Sequence, residues 1–174
     1  MTAIPLTVSA PRASGSPGTT LKASRKQAMP QNNPSPDGLL DPPSAFAAIA
    51  LAAVSWDGVL SMAGSRALRH ALDYRHPYCD YGDAGMVQLM DRLLRDMRQK
   101  GAQHLMVEAA EALNPAQRST AYAVAAEIMR SDGPLEPDER NILSNLATTL
   151  GLSPDDTEQV LNVMDVLHAD IIRA

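Results

Sequence analysis

Ser131-Asp132-Gly133-Pro134-Leu135-Glu136-Pro137-Asp138-Glu139-Arg140 is the stretch whose reading decides the fold. Asp132-Gly133 stops a helical pattern arriving from upstream, because glycine tolerates the positive φ common just past a helix end. Pro137 has the fixed φ that suits a first helical turn. Asp138 and Glu139 bring negative charge to the positive end of the helix that follows. The stretch is a sharp acidic corner between two helices. Its carboxylates, Asp132, Glu136, Asp138 and Glu139, either bind something or shape the turn.

A second corner lies upstream. Asp57-Gly58-Val59-Leu60 aligns with Asp132-Gly133-Pro134-Leu135. With the same offset, Ile49 falls on Val124, Val54 on Met129 and Leu68 on Leu143. Each copy reads helix, Asp-Gly corner, helix. Two copies with helical material between them indicate an internal duplication rather than a solenoid.

Outward from the corners the pattern stays helical. Asp41-Pro42-Pro43 supplies a cap and a first-turn proline, and the helix they open runs to about Trp56. Its many alanines imply close approach of neighbouring helices. Ser61 caps a second helix. Asp83 caps a third, which runs to Lys100 and is closed by Gly101. On it Asp91–Arg95 and Arg92–Asp96 have the spacing of surface ion pairs. A fourth helix spans Gly101 to Leu113, and Asn114-Pro115 restarts the chain as a fifth. The sixth leaves the acidic corner and stops at Gly151. Ser153-Pro154 opens the last, with a stripe of Val160, Met164, Leu167 and Ile171. The segment between Tyr74 and Gly82 is a loop whose tyrosine rings lie over helix ends. No segment alternates as a strand does. With one Phe and one Trp, the core is aliphatic. The fold class is all-α, with about seven helices.

Composition divides the 174 residues in two. Most of the 13 prolines precede residue 44. Residues 1–42, rich in Pro and Ser, cannot bury enough apolar surface to offset ordering entropy and are expected to be a disordered tail; residues 43–174 form the domain. The tail has no acid before Asp37, as in an organelle transit peptide, but its prolines argue against an amphipathic targeting helix. Lys22, Arg25 and Lys26 are too few to anchor it on a membrane. No charged stretch is followed at once by an apolar one, so a secretory signal is not expected, and no apolar run is long enough to span a bilayer, so neither is direct membrane insertion. A single cysteine fits a reducing compartment, so the expected location is cytoplasmic. The net charge is −5, and from Glu127 onward acids far outnumber Arg130, Arg140 and Arg173. Such a surface repels nucleic acid and attracts cations or a basic partner.

The run Asp132-Gly133-x-Leu135-x-Pro137-x-Glu139-Arg140, leading to Leu150-Gly151-Leu152, resembles the TerB family of tellurite-resistance proteins and related co-chaperone domains. The resemblance covers about residues 43–172. It implies an all-α, pseudo-two-fold domain whose acidic clusters hold divalent cations, and protein partners that include membrane-associated stress-response proteins. The matching acids are Asp57, Asp132 and Glu139. Gly64 stands where the first repeat would match Glu139, and Ser61 where it would match Glu136.

The expected function is that of a non-enzymatic accessory protein in a bacterial-type stress response. It would act by protein contacts, with weak binding of calcium or magnesium by Asp57, Asp132, Glu136 and Glu139. Such a site would be rich in water, since no EF-hand loop is present. The alternative is a metal-free helical interaction module. A third reading, ranked below both, is an enzyme using Cys79 and His76. No third orienting group or oxyanion donor is evident for that pair. Ser65 and Ser144 lie in helical patterns without a nucleophile elbow, and no phosphate-binding glycine loop is present. His70, His76, Cys79 and Asp80 carry zinc-type atoms, but only His76 and Cys79 form a compact pair, and His104 and His168 lie far off. They are expected to be spectators.

Overall fold

The computed structural model describes residues 40–169, apart from 57, 58 and 132. The described residues form seven α-helices and no strand: α1 Pro42–Val54, α2 Met62–Asp73, α3 Gly82–Lys100, α4 Ala102–Ala112, α5 Pro115–Met129, α6 Pro137–Leu150 and α7 Pro154–Leu167. Residues 1–39 of the expected tail, and the two Asp-Gly corner aspartates, lie outside the described residues.

Helix α1 is the centre of the domain. It packs most extensively on α4 and α5, and also on α3 and α2. It is apolar right round, and such a helix must be buried on every side. Ala45, Ala47, Ala48, Ala50 and Ala52 are all essentially inaccessible, as are Ile49 and Leu51. The small side chains allow four neighbours to approach one axis. Ser44 within it and Ser55 just past its end are buried polar residues, and both have partners. Ser44 Oγ donates to Asp41 Oδ2 at 2.9 Å and accepts from Arg92 Nη2 at 2.5 Å. Ser55 Oγ donates to the Leu51 carbonyl at 2.6 Å.

The helix starts follow local chemistry. Asp41 caps α1 by accepting from Ser44 N, and Ser61 caps α2 by accepting from Gly64 N at 2.9 Å. Asn114 and Gln117 form a reciprocal capping box on α5, with bonds of 2.9 and 3.0 Å. Gly151 ends α6 in the left-handed region, at φ 66°. Helices α1 and α5 end at Val54 and Met129, and α2 and α6 open on Ser61 and Glu136. Both pairs are separated by the offset that aligns the two halves of the sequence.

Four local expectations are corrected. Asp83 does not cap α3, which begins at Gly82; its carboxylate accepts instead from Arg69 Nη2 on α2 at 2.5 Å. The ion pairs expected along α3 do not form. Arg95 Nε donates to the Asp91 carbonyl, and Arg92 turns inward to Ser44 because its face of α3 lies against α1. The segment between α2 and α3 is more than a loop: Tyr78–Asp80 make a 3-10 turn, with Tyr78 and Tyr81 buried. On α7, Met164 is buried but Leu167 is 67% exposed, because this last helix is covered by α5 along one side only; Ile171 lies outside the described residues.

Candidate functional site

At the second corner Leu135 is buried and pins the turn to the core, and Glu136 is the residue before the first turn of α6. The Glu136 N–H donates to Glu139 Oε2 at 2.8 Å. One oxygen of Glu139 is therefore spent on capping α6. Two guanidiniums close the corner, Arg130 from within and the exposed Arg140 from outside. Arg130 Nη1 donates to the Gly133 carbonyl at 3.1 Å and Arg140 Nε to the Leu135 carbonyl at 3.2 Å. Arg130 also pairs through Nη2 with Asp165 Oδ1 of α7 at 3.0 Å, and its side chain is only 10% exposed. Arg130 Nε is buried without a hydrogen-bond partner.

This arrangement bears on the cation that the resemblance implies. A calcium loop offers backbone carbonyls and several carboxylate oxygens to one point. Here two corner carbonyls already face protein cations, and Glu136, Asp138 and Glu139 belong to no cluster of three or more metal-type side chains among the described residues. Asp57 and Asp132 lie outside the described residues. The first corner adds a steric reason for its missing acid. A Cβ at Gly64 would stand 3.2 Å from Ser61 Oγ and 3.3 Å from Val54 Cβ, so the start of α2 runs close to the end of α1. The described half of the acidic constellation does not fit a multidentate divalent-cation site.

A different set of groups does come together. His76 Nδ1 lies 3.0 Å from Asp80 Oδ2, and one ligand atom from each of His76, Cys79 and Asp80 falls within 4.8 Å of the others. All three residues are exposed. His70 is elsewhere, against the Tyr74 ring at 6.4 Å. Asp80 is a carboxylate partner that reading the sequence did not pair with His76. Its signal was the i, i+4 spacing within a segment read as irregular. For nucleophilic catalysis the trio lacks shelter from water.

Beside it runs a groove of about 620 Å³, between the start of α1, the segment 74–78 and the α4–α5 junction. Phe46, Tyr74, Pro77 and Leu113 give it apolar walls, and Asn114 and Thr120 add polar edges. The Arg75 guanidinium lies 4.8 Å from the centre of the Tyr74 ring, which is itself 60% exposed.

A family model described as tellurite resistance protein TerB matches residues 44–162. The chain belongs to the TerB family. No curated protein and no solved structure matches it to the same standard. The TerB match takes in all of α2 to α6 and both corners, and the seven-helix, strand-free arrangement agrees with an all-α TerB domain. No helix among the described residues is long and apolar enough to cross a membrane.

Proposed function

We propose that this TerB domain is a non-catalytic accessory module of the tellurite-resistance type that works by docking protein partners, and that its acidic corner is structural rather than a cation site. The observation that carries the docking reading is the aromatic groove at the α1 and α4–α5 edge. It is open, apolar at its walls and polar at its rim, and it presents Tyr74 with Arg75 stacked on it. Tyr and Arg are the side chains that most often anchor protein contacts. The partners would include membrane-associated stress-response proteins, and the domain would meet them from solution.

The test is site-specific photocrosslinking in the producing cells under tellurite stress. A photoreactive residue at position 74 should give a discrete protein adduct, and one at the exposed Gln159 should not. Thr120→Arg, which fills the groove from an exposed position, should abolish the adduct. Equal adducts from both positions, or an adduct indifferent to Thr120→Arg, would refute the groove as the docking face. The cation reading, with Asp57, Asp132, Glu136 and Glu139 as ligands of calcium or magnesium, remains the competitor. It draws on the exposed Glu136 carboxylate.

A further inference from the structure

We propose that His76, Cys79 and Asp80 form a surface site for a transition-metal ion of the zinc class, chemically distinct from any hard-cation site at the acidic corners. The donor set is one imidazole, one thiolate and one carboxylate. Nitrogen and sulfur donors suit zinc, whereas calcium and magnesium take oxygen. Three protein ligands with water in a fourth position make an open tetrahedral site.

The backbone presents these groups together. The Cys79 N–H donates to the Arg75 carbonyl, and the Asp80 N–H to the Pro77 carbonyl, both at 3.0 Å. The Tyr81 N–H closes the next bond on the Tyr78 carbonyl, also at 3.0 Å. His76 stands just before the 3-10 turn that carries Cys79 and Asp80, and one ligand atom of each lies within 4.8 Å of the others. The turn is fixed to the domain. Tyr78 and Tyr81 are buried with ring centres 5.7 Å apart, and the Tyr78 hydroxyl donates to the Pro43 carbonyl at 2.6 Å. Two buried rings thus hold the turn so that its three metal-type side chains face solvent.

The spacing is close to what a metal needs. Bonds of 2.0–2.3 Å put tetrahedral ligand atoms about 3.3–3.8 Å apart. The ligand atoms here lie within 4.8 Å, with nitrogen and carboxylate already at 3.0 Å. The three side chains are exposed, and their rotation would close the difference. Metal would take the His76 nitrogen free of a proton and the Cys79 sulfur as thiolate.

The experiment is a cobalt(II) titration of the full chain, with a phosphine reductant in place of thiols. One equivalent should bind, with a thiolate-to-cobalt charge-transfer band that zinc abolishes and that calcium and magnesium leave alone. His76→Gln and Asp80→Asn should each weaken binding by more than the roughly tenfold that loss of even an outer-shell partner costs. Unchanged helical circular dichroism checks that the variants fold, as expected for exposed positions. Zinc should also protect Cys79 from alkylation in the parent protein and not in His76→Gln. Unchanged cobalt affinity in both variants would reduce the site to a lone thiol and overturn the proposal. So would a ratio of one metal to two chains, which would mean a bridge between copies.

Discussion

Arg130 is the residue on which the second corner depends. It reaches the Gly133 carbonyl and Asp165 from a side chain that is 10% exposed, while Asp165 itself is 71% exposed. The two ends of this ion pair therefore differ in consequence. Asp165→Asn removes a solvent-screened partner and should change stability by less than about 1 kcal/mol. Arg130→Ala leaves a corner carbonyl without its donor and removes a buried stem, which should cost about 2 kcal/mol or more. Urea unfolding of the two variants measures the asymmetry. Tyr78 sets a second contrast. Burial pushes its phenol pKa up, and Tyr81 and Asp41 push it the same way; burial also raises Tyr81 and Tyr122. An unfolded chain ionises these phenols near pH 10, whereas the folded one keeps their protons. Their contribution is therefore complete below about pH 10 and is lost as pH rises toward the raised folded values, for Tyr78 by about 1.4 kcal/mol per pH unit over that window. Tyr78→Phe should flatten that alkaline slope, and at neutral pH should cost about 0.5–1.5 kcal/mol for the bond to Pro43. Neither role was legible from sequence. Arg130 meets Asp165, and Tyr78 meets Pro43, across separations that only the packed fold closes.

Among elements, what could be read in advance was what is local. Asp41, Ser61 and Asn114 were recognisable as caps, and Ser153 as the opening of α7, because a cap bonds within three residues of itself, and each does so. Asp83 failed the same reading because Arg69 on a neighbouring helix competes for its carboxylate. The His76–Cys79–Asp80 cluster was half legible. The spacing was visible, but reading 74–82 as irregular hid the 3-10 turn that carries Cys79 and Asp80 beside His76. The central place of α1 was legible only as an alanine-rich, apolar helix. Periodicity marks a buried face, and a helix buried on all faces has no period to show. That helix gives the sharpest packing prediction. Ala48→Leu adds volume between axes that already meet at alanine, and Ala48 is wholly inaccessible. It should cost about 1–3 kcal/mol. The same change at exposed Ala84 on α3 should stay within about 0.5 kcal/mol. Thermal unfolding of both variants tests whether the core is packed as tightly around α1 as its composition implies.

At the scale of the whole molecule, ion-dependent unfolding separates the readings of the acidic corners and the His76 turn. An ion that binds only the folded chain stabilises it by about 2.7 kcal/mol at 100 times its dissociation constant. For a domain of this size that is a rise in midpoint on the order of 10 °C. Arg130 and Arg140 already occupy corner carbonyls, and Glu139 caps α6. Millimolar calcium or magnesium should therefore leave the midpoint unchanged. A saturable rise lost in Asp132→Asn would restore the corner as a cation site and refute its structural reading. Zinc should act elsewhere. Its effect should survive Asp132→Asn and vanish in Cys79→Ser, because the thiolate lies on the turn before α3 and not at the corner. Trp56 adjoins Asp57 and is partly buried, so its fluorescence reports on the first corner. It should stay constant through the zinc titration if the metal binds at His76, Cys79 and Asp80. A calcium-dependent change there would again favour the corners. The two ion classes and two single substitutions thus give four independent readings on one intact chain.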